Sequence, residues 1–229
     1  MIEIAIITAR AGSVGLPKKN ILPLDGRPLI AWTVQAAIGS GCFDRVIVST
    51  DGADIAAAAR EAGAEVPFMR PEELASSVTP SVDVLRHALN ATGNPGSFAL
   101  LQPTSPFRTA AHIRRAVELF DASSAKALVS VSTSKPLSWH FGMDANGFLQ
   151  PALDKQMQTR RQDETGHFTP NGAIYLCQSD AFIKRSTLFQ PETLGFELGK
   201  LDSLDIDDIE DFMLAEAVVA SGLRGWQTD

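Results

Sequence analysis

The 229-residue sequence is poor in cysteine and histidine, and this scarcity narrows the kinds of site that it can build. Its two cysteines, Cys42 and Cys177, lie far apart in apolar surroundings, and no CxxC pair is present. The pattern therefore argues against a zinc site or a redox motif, while a single disulfide stays open. The four histidines show no ligand spacing.

The sequence also lacks a long hydrophobic run and an excess of positive charge. Its first apolar run, from Ile4 to Thr8, is far too short for a signal peptide, and no segment approaches the roughly 20 apolar residues that span a bilayer. We therefore expect a cytoplasmic protein with no membrane partner. The net charge of −7 argues against a protein that coats nucleic acid, but a local basic patch could still bind an anionic substrate.

Alternating elements predict one α/β domain over residues 1–229. Apolar residues make up 45% of the chain, enough for a sizeable core, and buried-strand patterns alternate with helical ones through the first 130 residues. This alternation predicts a Rossmann-like, mostly parallel sheet with helices on both faces. The predicted strands are 2–8, 45–49, 65–68, 98–101, 127–132 and 172–177, and the predicted helices are 28–40, 54–62, 80–91, 110–120 and 207–220. Thr79 and Thr109 are the predicted caps of two helices, and Gly39 and Gly41 are expected to end the first.

The alternation breaks over residues 135–169. The segment from Asp144 to Gly147 is typical of a hairpin turn, and residues 156–166 are polar with little periodicity. We expect an arm-like insertion that pairs with a second subunit and makes the protein a homodimer.

The loop after the first predicted strand, residues 9–20, carries the basic patch that a phosphate site needs. Open α/β sheets bind ligands at the carboxyl ends of their strands. Gly12 and Gly15 let the backbone approach a ligand, and Arg10, Lys18 and Lys19 concentrate positive charge in an acidic protein. The loop matches neither the P-loop nor the dinucleotide motif. A solvated glycine loop is the alternative to a nucleotide site.

The segment from Leu201 to Asp208 is the candidate metal site. On an extended backbone, Asp205 and Asp207 point the same way and can converge on one cation. Carboxylates together with phosphate oxygens and water are the ligands that Mg²⁺ prefers. The alternative is helix capping, with Asp207 and Glu210 at a helix N-terminus.

A third polar segment, residues 100–108, also follows a predicted strand. Its Gln102, Thr104 and Ser105 would face the same rim, where an amide and two hydroxyls suit recognition of a sugar or a base edge. A proline-bounded turn without function is the alternative.

Taken together, six segments resemble the CMP-sialic acid synthetase (acylneuraminate cytidylyltransferase) family over nearly the whole chain. They are IITARAGSVGLPKKN from Ile6, VIVSTD ending at Asp51, RPEELASS from Arg70, LLQPTSPFRTAAHI from Leu100, PNGAIYL from Pro170 and DSLDIDD from Asp202. The resemblance implies the nucleotide-diphospho-sugar transferase type of fold, with CTP as donor and Mg²⁺ as cofactor. It also implies a nine-carbon 2-keto sugar acid as acceptor, such as N-acetylneuraminate, legionaminate or pseudaminate, and a dimer formed through the arm.

The resemblance also implies roles for single residues. The catalytic set would be Arg10, Lys19, Asp205 and Asp207, of which the two aspartates carry the Mg²⁺. The nucleotide pocket would be formed by Ala9, Arg10, Gly12, Ser13, Lys19, Asn20, Arg70 and Ser81. The acceptor would be bound by Gln102, Thr104, Ser105, Arg161 and Phe189.

The sequence departs from the family pattern in two regions. Many relatives have a lysine between the serine and glycine of the first loop, where this chain has Val14. Leu137-Ser138 and Thr169 stand where relatives carry basic residues, which leaves the acceptor's identity open. Two other functions therefore stay open: a nucleotidylyltransferase that uses a sugar 1-phosphate, and a nucleotide-binding regulator weakened in catalysis.

Overall fold

The computed structural model describes residues 2–152 and 166–222. The strands are β1 (Ile2–Thr8), β2 (Pro23–Leu24), β3 (Arg27–Pro28), β4 (Phe43–Ser49), β5 (Ser97–Leu100), β6 (Ala127–Ser134), β7 (Phe141–Met143), β8 (Leu149–Pro151), β9 (His167–Gln178) and β10 (Thr193–Glu197). The α-helices are α1 (Leu29–Ser40), α2 (Ala53–Glu61), α3 (Ser81–Ala91), α4 (Ala110–Asp121), α5 (Ser179–Arg185) and α6 (Ile209–Ala220).

Six strands form one mostly parallel sheet, which confirms the predicted fold class. Their order is β10-β6-β9-β5-β1-β4. β1 pairs in parallel with both β4 and β5, and β10 pairs in parallel with β6, whereas β9 runs antiparallel to its neighbours β5 and β6. The carboxyl ends of β1, β4 and β5 therefore share one edge, where the loops after them meet.

Helices cover both faces of the sheet because its central strands are apolar on both sides. In β1, Ala5 and Ile7 pack in a core with residues of α1, α2 and α4, while Ile4 and Ile6 pack in a second core with residues of α3 and α5. These four side chains are almost completely buried. A strand with helices on both faces reads as a continuous hydrophobic run, as residues 4–7 of β1 do.

Local signals located most helix ends correctly. Thr109 caps α4 by accepting a hydrogen bond from the His112 N–H at 3.2 Å, and Gly41 ends α1 in the left-handed conformation at φ 65°. Gly39, by contrast, lies within α1 and does not stop it.

Two sequence predictions of secondary structure are wrong. The strand predicted at residues 65–68 is reduced to one bridge between Ile47 and Glu65, because Pro67 has no N–H to continue a ladder. The helix α3 has no side-chain cap, because its N-cap position is occupied by Pro80, whose side chain has no hydrogen-bond acceptor. Thr79, the predicted cap, instead donates its hydroxyl to the Glu73 carbonyl at 3.4 Å.

The predicted hairpin in the arm is confirmed. β7 and β8 pair antiparallel, and Asp144 closes the turn by accepting hydrogen bonds from the backbone N–H groups of Asn146 and Phe148 at 2.9 and 3.0 Å. Pairing of the arm with a second subunit stays a prediction. None of the helices in the described ranges is long and apolar enough to cross a bilayer, and the cytoplasmic location also stays a prediction.

Candidate active site

A cavity of about 610 Å³ opens at the sheet edge where β1 and β5 end. Its walls come from the loop after β1, the segment before α3, the loop after β5 and the segment before α6. The sequence-predicted residues that line it are Arg10, Ser13, Lys19, Asn20, Arg70, Ser81, Gln102, Thr104, Asp205 and Asp207. The structure thus brings all three polar segments to one cavity.

Hydrogen bonds fix the loop after β1 at the cavity wall. Asp51, at the end of the strand segment VIVSTD, accepts the Ala11 N–H at 2.9 Å. The buried Asn20 donates its amide to the Arg10 carbonyl at 3.0 Å, and Arg10 donates to the Ser76 carbonyl at 3.3 Å. The loop is therefore held from both sides while Arg10 and Lys19 line the cavity.

Gly15 allows this loop to touch the segment that carries the aspartates. A Cβ built on Gly15 would lie 2.6 Å from the Asp207 carbonyl oxygen, closer than real Cβ contacts. No atom of the described residues lies within 4 Å of a Cβ built on Gly12. Close backbone approach is therefore the reason for glycine at position 15, and not at position 12.

The segment before α6 presents two aspartates to the cavity as its alternation predicts. Ile206 is completely buried, and its N–H donates to the Thr104 carbonyl at 2.9 Å. The residues on either side, Asp205 and Asp207, both line the cavity. Lys19 Nζ lies 3.1 Å from Asp207 Oδ1, so the cationic loop meets the acidic segment directly.

The capping alternative for Asp207 is wrong, because Asp208 and Asp211 form the cap of α6. Asp208 is the N-cap of α6 and accepts from the N–H groups of Glu210 and Asp211 at 2.9 and 3.1 Å. The Asp211 carboxylate in turn accepts the Asp208 N–H at 3.2 Å. The Asp207 side chain is thereby left to the cavity.

Asp205 has the features of a cation ligand. Its Oδ1 is buried and accepts no hydrogen bond from the described residues. Burial raises the pKa of Asp205; a hydrogen bond from Thr104 and the charge of Lys19 oppose this shift, and the charge of Asp207 adds to it. A buried carboxylate oxygen without a donor, beside a second carboxylate, fits a hard cation.

Arg10, Lys19 and Arg70 are the cationic residues that line the cavity among the described residues. Arg70 is 6% exposed and donates to the Ser49 hydroxyl at 3.1 Å and to the Ser49 carbonyl. Burial lowers its pKa. Val14, at the position where many relatives have a lysine, lines the cavity and is 76% exposed. Lys18 is exposed and lies outside the cavity lining, so it does not replace that lysine.

A second cavity of about 490 Å³ adjoins the first and shares Gln102 and Asp205 with it. Hydroxyl and amide groups dominate its walls, and Asp205 is the charged residue among the described side chains that line it. The polar lining comes from Ser132, Thr169, Asn171, Tyr175 and Ser203. Burial and the charge of Asp205 raise the pKa of Tyr175.

Several predicted site residues do not line either cavity. The expectation that Ser105 faces the rim is wrong, because Ser105 is completely buried. Ala9 is also buried, with its N–H bonded to the Ser49 carbonyl at 3.0 Å, and Gly12 is exposed outside the lining. Phe189 reaches the second cavity only through Tyr175, against which it packs edge-to-face at 6.5 Å. Arg161 lies outside the described residues.

Part of the wall of the second cavity comes from β9, and the residues of this part had no predicted binding or catalytic role. Asn171, Gly172 and Tyr175 belong to the segment PNGAIYL, which carried the family resemblance only as a pattern. An Asn-Gly pair inside a strand pattern is the signal that could have marked this wall, since glycine inside a strand often marks a bulge or a close approach of backbone.

Known relatives match this chain over most of its length. It is 40% identical to an N-acylneuraminate cytidylyltransferase of Escherichia coli O18:K1:H7 over 93% of this chain, but it covers 51% of that relative. The chain likewise spans about half the length of the Streptococcus agalactiae enzymes of that name.

Two relatives are matched nearly end to end. A CMP-N,N'-diacetyllegionaminic acid synthase of Legionella pneumophila is 37% identical over 94% of this chain and 95% of the relative. A pseudaminic acid cytidylyltransferase of Campylobacter jejuni is 29% identical with the same coverage.

A solved structure shows the same fold. CMP:2-keto-3-deoxy-manno-octonic acid synthetase, complexed with CTP, superposes with a TM-score of 0.73 at 16% identity, covering 97% of this chain and all of that one. The family model of cytidylyltransferases matches residues 4–211. This chain belongs to the cytidylyltransferase family, which confirms its resemblance to the acylneuraminate enzymes.

Proposed function

We propose that the protein transfers CMP from CTP to the anomeric hydroxyl of a nine-carbon 2-keto sugar acid and releases pyrophosphate. One observation carries this proposal. A cavity lined by cationic residues and paired aspartates continues into a second, polar cavity through a shared wall of Gln102 and Asp205. A triphosphate in the first cavity and a sugar in the second would meet at this wall.

In the proposed reaction, the hydroxyl oxygen of the sugar attacks the α-phosphorus of CTP. The bond between this phosphorus and the oxygen that bridges the α- and β-phosphates then breaks. Negative charge shifts onto the departing pyrophosphate, and the hydroxyl proton leaves to a base. Arg10 and Lys19 supply positive charge at the first cavity, where it offsets the charge on the phosphates. Gln102 supplies an amide at the junction and helps to orient the attacking sugar.

We propose Mg²⁺ as the cofactor, held by Asp205 and Asp207. Mg²⁺ in nucleotide sites uses one or two carboxylates and completes its shell with phosphate oxygens and water. Asp205 and Asp207 both line the first cavity, so they could supply these carboxylates while a bound nucleotide supplies phosphate oxygens. When bound, Mg²⁺ neutralises phosphate charge and fixes the geometry of the transfer.

The names of the relatives support the acceptor class. They are enzymes for N-acylneuraminate, N,N'-diacetyllegionaminic acid and pseudaminic acid. The second cavity offers hydroxyls and amides that match a polyhydroxylated sugar. Thr169, one of the positions that depart from the family pattern, lines this cavity. The acceptor preference of the protein should therefore be measured across all three acids.

Pyrophosphate release tests the proposal. Purified protein should release pyrophosphate only when CTP, Mg²⁺ and one acid of the panel are present together, and omission of any one should abolish the signal. A matched panel of UTP, GTP and dTTP with sugar 1-phosphates tests the alternative class. Release with those substrates and none with CTP and the acids would overturn the proposal.

We also propose that the arm forms a homodimer contact. Its described part exposes a run of large apolar side chains, including Met143, Phe148 and Leu149 at 73%, 67% and 64% exposure. Exposed apolar patches of this kind mark interaction surfaces. Light scattering coupled to gel filtration should give twice the chain mass of 24.5 kDa, and Phe148→Asp should shift the protein towards monomer. A monomeric parent would contradict this part.

A further inference from the structure

Strand β9 bulges at the wall shared by the two cavities. Val129 of β6 pairs with Tyr175, but Val131 pairs with Pro170, so residues 171–174 of β9 stand opposite the single residue Ser130. This bulge contains Gly172 at φ 80°, and a Cβ at that position would collide with the Gln102 side-chain oxygen. A bulge re-aims the chain beside a site, and here it brings β9 against Gln102.

The side-chain amide of Asn171 holds the bulge and uses all its hydrogen-bonding capacity. Its Oδ1 accepts from the Ser130 hydroxyl at 2.5 Å and from the Ala173 N–H at 3.2 Å. Its Nδ2 donates to the Ser132 hydroxyl at 3.1 Å and to the Ser203 hydroxyl at 2.9 Å. The Ala173 N–H fixes the orientation of the amide, because a flipped amide would place two donors face to face.

The bond to Ser203 connects the sheet to the acidic segment. Ser203 lies two residues before Asp205, and its hydroxyl also donates to the Leu198 carbonyl at 3.4 Å. Asp205 itself comes close to the bulge, since its Oδ2 lies 3.6 Å from a Cβ built on Gly172. The acidic segment has no regular secondary structure before α6, so this side-chain bond is one of its fixed points.

We infer that Asn171 is a positioning residue: through Ser203 it sets the place of Asp205 between the two cavities. The inference rests on the proposed function, because it assigns Asp205 to the metal and nucleotide. Asn171 lines the second cavity, yet its four hydrogen bonds are internal, so its task is to hold Asp205 and not to bind the acceptor. Partners that orient metal ligands typically change metal affinity by about 10–100-fold when removed.

The test compares Ser203→Ala, which removes the bond, with Ser203→Thr, which keeps the hydroxyl. Mn²⁺ is the probe ion, and its dissociation constant in the presence of CTP is measured by electron paramagnetic resonance. We expect Ser203→Ala to weaken Mn²⁺ binding about 10-fold and to lower kcat, with little change in the acceptor KM, and Ser203→Thr to restore most of the affinity. Ser132→Ala, which removes the bond to the sheet, should weaken Mn²⁺ binding less.

Other results would overturn the inference. A raised acceptor KM with unchanged Mn²⁺ affinity would make Ser203 a sugar contact. Unchanged values, or a Ser203→Ala protein that fails to fold, would also contradict a positioning role. The Mn²⁺ measurement needs no acceptor, so it tests the bond between Asn171 and Ser203 even if no acid in the panel supports turnover. Failure of the parent to turn over any acid would count against the proposed function alone.

Discussion

Lys19 and Asp207 are 188 positions apart in the chain, and their side chains meet at 3.1 Å on the rim of the larger cavity. The Asp207 side chain is 77% exposed, so the ion pair adds little to the stability of the fold. Its importance lies in location, because it joins the cationic loop to the acidic segment across the place proposed for the triphosphate.

Substitutions at Asp207 and Asp208 should have different effects, because the first faces the cavity and the second caps α6. Asp207→Asn should lower kcat/KM for CTP by roughly 100-fold or more, as expected for the loss of an electrostatic stabiliser. Asp208→Asn should keep activity and stability, because asparagine caps a helix as well as aspartate does. Steady-state pyrophosphate release and thermal unfolding measure the two effects.

A third variant sharpens this comparison. Asp208→Ala removes the cap of α6 and should cost about 0.5–2 kcal/mol of unfolding free energy while kcat changes little. Equal activity losses in Asp207→Asn and Asp208→Asn would show that the charge of the whole segment, and not the side chain at the cavity, is what matters.

Gly15→Ala should reduce activity by moving the loop after β1 away from the acidic segment. The added Cβ would meet the backbone carbonyl of Asp207 at 2.6 Å, and a carbonyl cannot rotate away as a flexible side chain can. We expect roughly 10–100-fold lower kcat/KM, since small misplacements of binding groups carry such costs. The Cβ added by Gly12→Ala has no neighbour within 4 Å in the part of the chain that the structure describes, so this variant should be much milder. Equal losses would contradict the packing argument.

Val14→Lys should strengthen the use of CTP. Val14 lines the cavity and is 76% exposed, so a lysine there would add a cation near the phosphates without a burial cost. We expect up to about a 10-fold higher kcat/KM at low salt, with the gain falling as ionic strength rises. Leu119→Lys, at an exposed position of α4 that lines neither cavity, controls for net charge. An inactive parent that Val14→Lys activates would instead support the regulator alternative.

Asp205→Asn should raise the melting temperature of the ligand-free protein at neutral pH while it abolishes activity. The folded-state pKa of Asp205 is raised, chiefly by burial, so the folded protein binds this proton more tightly than the unfolded chain. The free energy of unfolding therefore falls as pH rises from the unfolded-state pKa of Asp205 through its folded-state pKa. Above the folded-state pKa the ionised carboxylate destabilises the fold. The gain should disappear below about pH 4, where the carboxyl is neutral in both states. A gain that persists in acid would contradict this explanation.

Features with local causes could be read from the sequence. The strand Ile2–Thr8, the cap at Thr109 and the end of α1 at Gly41 depend on neighbouring residues, and all three are as expected. The predicted strand at 65–68 failed because the next ladder bond after Glu65 would need an N–H at position 67, which Pro67 lacks. The antiparallel placement of β9 between β5 and β6 depends on long-range pairing and has no local signature.

The sequence by itself determined the alternating fold, the basic loop and the paired acidic residues, because periodicity and charge act over a few neighbouring positions. Only the tertiary structure decided that Asp208 caps α6 while Asp207 faces Lys19, that Ser105 is buried, and that Gln102 and Asp205 form a wall shared by two cavities. These outcomes depend on contacts between segments far apart in the chain, and such contacts exist only once the whole sheet has formed.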